Sequence, residues 1–252
     1  MALRFDSLRL TAHDPERLAT CWAGVLERGP HRTVRRFDCR TRSRVASISS
    51  SPAVPSPGMA QISGSVDEQE RTVSRALGLG ASHLDVDQRP EEGHVVLADP
   101  EGNKFCVLGP GNVFLDGCGF LGALSCDGSR QVGLFWQRAL DWPLVWDEGE
   151  ETAIQSPDGG PKITWGGPPV RAKVGRNRML FVLEAEGGLA EEMNGLMGLG
   201  AQRCDPDPAR LDPVDDASWR ELRDPDGNEF LVGAASVDRQ VVTCLSWGCV
   251  QE

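Results

Sequence analysis

Carboxylates recur in a turn that the sequence contains twice. It reads Asp-Pro-Glu-Gly-Asn within residues 98–108 (ADPEGNKFCVL) and Asp-Pro-Asp-Gly-Asn within residues 222–232 (LRDPDGNEFLV). Neighbouring carboxylates are candidates for general acid–base chemistry. However, proline after Asp presets a turn and Gly-Asn supplies positive φ, so each pentapeptide predicts a hairpin corner. We interpret these carboxylates as turn caps rather than catalysts.

Histidines offer a second set of acid–base candidates. His83 and His94 lie eleven positions apart across a predicted hairpin, so they could meet on adjacent strands and supply a general base. His13 precedes a predicted helix whose N-cap is Asp14. A histidine beside a strand is more often a surface or packing residue, and this pattern does not distinguish the two roles.

Arginines are concentrated in residues 32–44 (RTVRRFDCRTRSR) of an otherwise acidic chain. Alternation along a strand would place several guanidinium groups on one face of a sheet. Two interpretations stay open for this run. It binds an acidic ligand or the partner half, or it forms a solvated sheet edge that discourages aggregation.

A repeat that spans nearly the whole chain positions these residues. Each half begins with a short strand and a helix, over residues 14–26 and 128–140, and Trp22 matches Trp136. The apolar residues of both helices recur at i, i+3, i+4, i+7 and i+8, which predicts one stripe packed on a sheet. A second helix in each half ends in Gly-Leu-Gly-Ala. The pattern indicates two tandem copies of one domain.

Composition limits the class of partner. The 252 residues carry a formal net charge of -11, which disfavours nucleic acid because phosphate binding needs a basic excess. No apolar run is long enough to span a membrane, and the first residues do not resemble a secretion signal. We therefore expect a cytoplasmic protein whose eight cysteines are reduced thiols. A homodimer is compatible with these features.

Two βαβββ modules in each half, closed by the Asp-Pro-x-Gly-Asn turn, resemble the vicinal oxygen chelate superfamily of glyoxalase I, the bleomycin-resistance proteins and the extradiol dioxygenases. Residues 117–167 (GCGFLGALSCDGSRQVGLFWQRALDWPLVWDEGEETAIQSPDGGPKITWGG) carry most of the likeness. The resemblance implies an α+β fold of tandem glyoxalase-like domains, each of two modules that form a curved mixed sheet around a small-molecule pocket. We predict domains at 1–112 and 113–236 and a tail at 237–252.

The resemblance also implies where a metal ion would bind. Metal-using relatives place two His and one Glu on three strands, because divalent cations bind imidazole and carboxylate ligands and polarise a substrate oxygen. In this sequence those places are taken by Ser7, Gln61 and Cys106 in the first half, and by Leu121, Leu180 (or Phe181) and Leu231 in the second. We expect no bound metal and no other cofactor.

Aromatic residues of the second half favour ligand binding. Trp146 and Trp165 are predicted on strands that line the pocket, where indole faces could stack on a flat ligand, and Arg178 is predicted at its rim. The alternative is that both indoles pack the sheet on its helices. The sequence predicts a metal-independent protein that binds a natural product or an aromatic metabolite. The alternatives are a metal-independent lyase, isomerase or cyclase, and a structural or regulatory dimerisation module.

Overall fold

The computed structural model describes residues 2–27, 58–63, 65–86, 93–204, 219–234 and 245–246. Within these ranges the helices are α1 (Pro15–Val25), α2 (Val66–Gly78), α3 (Arg130–Leu140) and α4 (Leu189–Gly198), with a short 3-10 turn at Val113–Leu115. The strands are β1 (Leu3–Leu10), β2 (Gly58–Ser63), β3 (Ser82–His83), β4 (His94–Ala98), β5 (Lys104–Leu108), β6 (Leu121–Cys126), β7 (Leu144–Glu148), β8 (Glu151–Gln155), β9 (Lys162–Trp165), β10 (Met179–Ala185), β11 (Gln202–Arg203), β12 (Trp219–Arg223), β13 (Glu229–Ala234) and β14 (Leu245–Ser246).

The helices begin where the sequence supplies caps. Asp14 accepts a hydrogen bond from the backbone of Arg17, and Ser65 forms a capping box with Glu68. The predicted apolar stripes are confirmed, because their residues lie in the core: Leu18, Cys21, Trp22 and Val25 of α1, and Val132, Phe135, Trp136, Ala139 and Leu140 of α3. Among the described residues, no helix is long and apolar enough to cross a bilayer.

The strands form two mixed sheets, and each sheet draws on both halves of the chain. The six-stranded sheet has the order β11-β12-β13-β10-β1-β14, and the eight-stranded sheet has the order β3-β4-β5-β2-β6-β9-β8-β7. The first strand of each half pairs antiparallel with a strand of the other half, β1 with β10 and β6 with β2. The α+β class of paired modules is confirmed. The repeat does not predict that modules of different halves pair with each other, an arrangement we call the exchange of modules. The domain boundaries near residue 112 therefore stay a prediction.

Each half joins its two modules through one buried indole–carboxylate hydrogen bond. Trp22 in α1 donates from Nε1 to Asp99 Oδ2 over 3.0 Å, and Trp136 in α3 donates to Asp224 Oδ2 over 3.2 Å. The same Asp oxygens accept from the side-chain amides of the turn asparagines, over 2.8 and 3.4 Å. We call each such set a Trp–Asp–Asn corner. It connects the helix of the first module to the last hairpin of the second.

The remaining carboxylate of each turn holds a helix N-terminus. Glu101 accepts hydrogen bonds from the backbone N–H groups of His13 and Asp14, just before α1, over 3.0 and 2.9 Å. Asp226 accepts from the backbone and the hydroxyl of Ser129, the N-cap of α3, over 2.6 and 2.9 Å. These contacts confirm that the turn carboxylates act as caps.

The corners lead to a prediction about stability. Trp22→Phe and Trp136→Phe each leave a buried carboxylate without its indole donor, so each should lower the free energy of unfolding in urea by about 1–3 kcal/mol. Trp146→Phe is the control, because that side chain is 38% exposed, and it should change stability by less than about 0.5 kcal/mol. Equal stabilities for all three variants would contradict the role of the corners.

Candidate functional site

A cleft opens beside the second Trp–Asp–Asn corner. With its open mouth, the depression measures about 360 Å³. The ends of β6 and β9, the start of β10, helix α3 and the turn before β13 surround it. It is lined by Cys126, Trp136, Trp165, Asn177, Met179, Phe181, Asp224, Asn228 and Glu229.

Aromatic rings form one wall of the cleft, which we call the aromatic wall. The ring of Trp136 lies edge-on to those of Phe181 and Phe230, with centroids 5.0 and 4.9 Å apart. Trp165 is 1% exposed and completes this wall. Edge-to-face packing is a favoured arrangement of aromatic rings, so the apolar side of the cleft is already formed without a ligand.

Polar groups converge on the other side. Asn177 donates from its side chain to Asn228 Oδ1 over 3.1 Å and from its backbone to Glu229 Oε2 over 3.0 Å. Lys173 donates to the same Glu229 oxygen over 2.9 Å. Burial raises the pKa of Glu229, but the hydrogen bonds from Lys173 and Asn177 outweigh burial and hold it below its usual value. Glu229 is therefore ionised at neutral pH.

The pKa of Asp224 is shifted in the opposite direction. Burial raises its pKa to about 6, although the hydrogen bonds from Asn228 and Trp136 partly offset this rise. Its Oδ1 accepts from the backbone of Asp226 and Asn228 over 3.1 and 2.9 Å. The cleft thus contains two carboxyl groups whose environments move their pKa values in opposite directions.

The two halves share the corner but differ at the residue that follows it. Asn103 occupies the same place in its turn as Asn228, whereas the next residue is Lys104 in the first half and Glu229 in the second. Architecture common to both copies does not require this difference. It is the one signal in the sequence that could have pointed to Glu229, which our residue-by-residue interpretation missed together with Asn177 and Asn228.

Of the three predicted ligand-binding residues, the structure places only Trp165 in the cleft. Trp146 pairs with Ala153, which pairs with Thr164, whereas Trp165 pairs with Thr152. Because side chains alternate along a strand, the two indoles lie on opposite faces of one sheet. The expectation that they line one pocket is therefore wrong.

Arg178 has a structural partner. It donates from Nη2 to the backbone oxygen of Glu101 over 2.6 Å, and its own carbonyl accepts from the backbone of Thr11. It therefore ties the second half to the turn of the first. Whether Trp146 or Arg178 also contacts a ligand stays a prediction.

The histidine pair and the arginine run do not add to the site. His83 lies opposite Leu97 and His94 opposite Leu108, so the two imidazoles are not cross-strand neighbours. The arginine run at 32–44 lies outside the described residues.

The exchange of modules regroups the places where the superfamily binds metal. Ser7, Leu180 and Leu231 fall in the six-stranded sheet, and Gln61, Cys106 and Leu121 fall in the eight-stranded sheet. The first group offers a single hydroxyl group. In the second, burial raises the pKa of Cys106 to about 11, so its thiol is protonated. Neither group fits a divalent cation, and the described ranges contain no cluster of three or more His, Cys, Asp or Glu able to hold a metal ion.

Asp224 leads to a prediction about pH. Because its pKa in the folded protein lies above that of an unfolded Asp, its contribution to stability is full below about pH 4 and is lost as pH rises through about 6. Relative to Asp224→Asn, the wild type should lose on the order of 2–3 kcal/mol of unfolding free energy between pH 4 and 7. Asp99→Asn, which makes the same substitution in the first corner, is the control for the loss of the corner's carboxylate. Parallel pH profiles of the wild type and Asp224→Asn would rule out this titration.

The donor groups lead to a prediction about metal content. Elemental analysis of the purified protein should find well below one divalent ion per chain, since hydroxyl, thiol and alkyl groups replace the usual ligands. Close to one zinc, nickel, iron or manganese per chain, retained after mild chelation, is the result that contradicts it.

Comparison with known proteins agrees with the geometry. Glyoxalase I from Zea mays has 12% sequence identity and a TM-score of 0.54, with 91% of this chain and 93% of that chain covered. A single-site mutant of the same enzyme gives 11% and 0.56, with 92% and 94% covered. TnmS3, an antibiotic binding protein from Streptomyces sp. CB03234, has 16% identity and a TM-score of 0.31, with 44% and 92% covered. At such identities the maize likeness shows the fold alone, and a TM-score of 0.31 carries no argument.

The sequence itself shows the family. No curated protein matches the chain. A family model described as a glyoxalase-like domain matches it twice, over residues 7–108 and 122–233. These matches span most of the sequence, so the chain belongs to the glyoxalase-like domain family of the vicinal oxygen chelate superfamily.

Proposed function

We propose that this protein binds a small organic molecule in the cleft beside Trp165, without a metal ion. One observation carries the proposal: an aromatic wall faces a cluster of polar groups, Asn177, Asn228 and Glu229, and the first half has Lys104 at the place of Glu229. A mostly apolar depression with a few convergent polar groups is the usual form of a ligand site.

The lining of the cleft indicates the chemistry of the ligand. Its polar side would bind a carbonyl or hydroxyl group. The amide of Asn177 donates to Asn228 and has further hydrogen-bonding capacity for such a group. The body of the ligand would lie in the open mouth against the aromatic wall. We therefore infer a flat, largely apolar molecule with a polar substituent, such as an aromatic metabolite or natural product.

An enzymatic function is the second candidate. Asp224 and Glu229 line one cleft with pKa values moved apart, which is a pattern that acid–base catalysts share. A lyase, isomerase or cyclase reaction would use Asp224 as the proton donor. Both Asp224 oxygens already accept hydrogen bonds within the corner, so this candidate ranks below binding.

The repeat supplies a matched pair of variants for the test. Asn103 and Asn228 hold the same place in the two corners, but only Asn228 lines the cleft and accepts a hydrogen bond from Asn177. Asn103→Ala and Asn228→Ala should lose similar stability. A thermal-shift screen of planar aromatic compounds would first identify a ligand. Isothermal titration calorimetry should then show that only Asn228→Ala weakens its binding, by about fivefold or more in Kd, which is about 1 kcal/mol.

Trp165→Phe gives the second measurement, because it keeps an aromatic ring but removes part of the wall. It should weaken the same ligand and reduce the quenching of tryptophan fluorescence that the ligand causes. If both Asn228→Ala and Trp165→Phe leave the affinity for the ligand unchanged, the ligand binds elsewhere and the proposal is wrong. Turnover of that ligand, lost in Asp224→Asn, would favour the enzyme instead.

A further inference from the structure

A second depression adjoins the cleft of the proposed function. It measures about 390 Å³ with its open mouth, and it shares two lining residues with the cleft, Asn177 and Asn228. Asp127, directly after β6, and the segment 170–174, in the connection from β9 to β10, form much of the remaining wall. The two depressions therefore meet at the hydrogen bond between the amides of Asn177 and Asn228.

The segment that borders the second depression is held in place by contacts within the chain. Lys173 donates to Glu229 Oε2 over 2.9 Å and to the backbone oxygen of Gly175 over 2.7 Å. The backbone N–H of Arg171 donates to Asp127 Oδ2 over 3.3 Å. Because these contacts fix the segment at both ends, a ligand would not bear the cost of ordering this wall.

Three polar groups of the second depression retain hydrogen-bonding capacity. Asn177 is 6% exposed, and its side-chain nitrogen donates to Asn228, but its Oδ1 accepts no hydrogen bond from the described residues. Asp127 Oδ1 and the guanidinium group of Arg171 also have no partner within the part of the chain that the structure describes. A buried amide oxygen without a donor costs free energy. The depression therefore favours a ligand that supplies both donors and acceptors.

Hydroxyl groups match these polar groups, because a hydroxyl group both donates and accepts. They can donate to Asn177 Oδ1 and Asp127 and accept from Arg171. A carbonyl group would leave both oxygens without a donor, and an ammonium group would be repelled by Arg171. Val170 and Val174, which are 40% and 66% exposed, offer apolar contact to the C–H face of a ring. A hydroxylated ring, such as a sugar, meets both requirements.

We infer that the ligand of the cleft is an aromatic glycoside, whose sugar ring binds in the second depression. The inference rests on the proposed function, because the aromatic part of the same ligand lies in the cleft against Trp165. The Asn177–Asn228 pair lies where the two parts of the ligand join. Asp127 and Arg171 determine specificity, since they line only the second depression.

Calorimetry with 2-naphthyl β-D-glucopyranoside and its aglycone, 2-naphthol, tests the second depression. The wild type should bind the glucoside about tenfold more tightly, because only the glucoside reaches Asp127 and Arg171. Asp127→Ala and Arg171→Ala should each weaken the glucoside by about fivefold and leave the affinity for 2-naphthol unchanged. Asp158→Ala is the matched control, because it removes an exposed carboxylate from the turn between β8 and β9 and should change neither affinity.

Trp165→Phe separates the two depressions, because it alters the cleft and leaves Asp127 in place. It should weaken the glucoside and 2-naphthol by the same factor. Absence of glucoside binding, equal affinities of the wild type for the two compounds, or an equal loss of both in Asp127→Ala overturns the inference and leaves the proposed function to its own test. Glucoside binding that depends on Asp127 but not on Trp165 contradicts the proposed function, and with it the placement of the aromatic part.

Discussion

The indole–carboxylate bond of the Trp–Asp–Asn corner is the interaction on which the rest of the structure depends. Strand pairing joins modules from different halves, β1 to β10 and β6 to β2. The corners join the modules within a half, through Trp22 to Asp99 and Trp136 to Asp224. These two sets of connections cross each other, so all four modules are held as one unit. The corners add a buried polar contact to the apolar packing of α1 and α3 and to the hydrogen bonds that Glu101 and Asp226 accept at the N-termini of these helices.

The two copies of the corner show how one architecture can carry both stability and the proposed site. Both copies satisfy the same turn carboxylate with the same backbone donors. The two copies differ at the next residue, which is Lys104 in the first half and Glu229 in the second. A duplicated domain can keep one copy as a scaffold while the other acquires polar groups, because the shared corner maintains the fold in each.

The sequence predicted what depends on local spacing. The helices, their buried stripes and the capping role of the turns follow from periodicity and turn chemistry, and the structure confirms them. The sequence did not predict which face Trp165 occupies. The face of Trp165 depends on the pairing of β8 with β9, which sets Trp165 opposite Thr152, and periodicity within a strand does not determine the register between two strands. Nor did it predict the exchange of modules, because both pairings bury the same stripes.

The exchange of modules has a consequence for assembly. Cutting the chain within the segment that connects the two halves (residues 109–120, the connecting segment) would leave two fragments, each with a strand edge that the other fragment covers in the intact chain. Each fragment alone would expose β1 or β6, so the fragments should reconstitute one another like the two parts of a split reporter. The same strand pairing is compatible with domain swapping, in which β1 of one chain pairs with β10 of a second chain. The conformation of the connecting segment would then determine whether the pairing forms within one chain or between two.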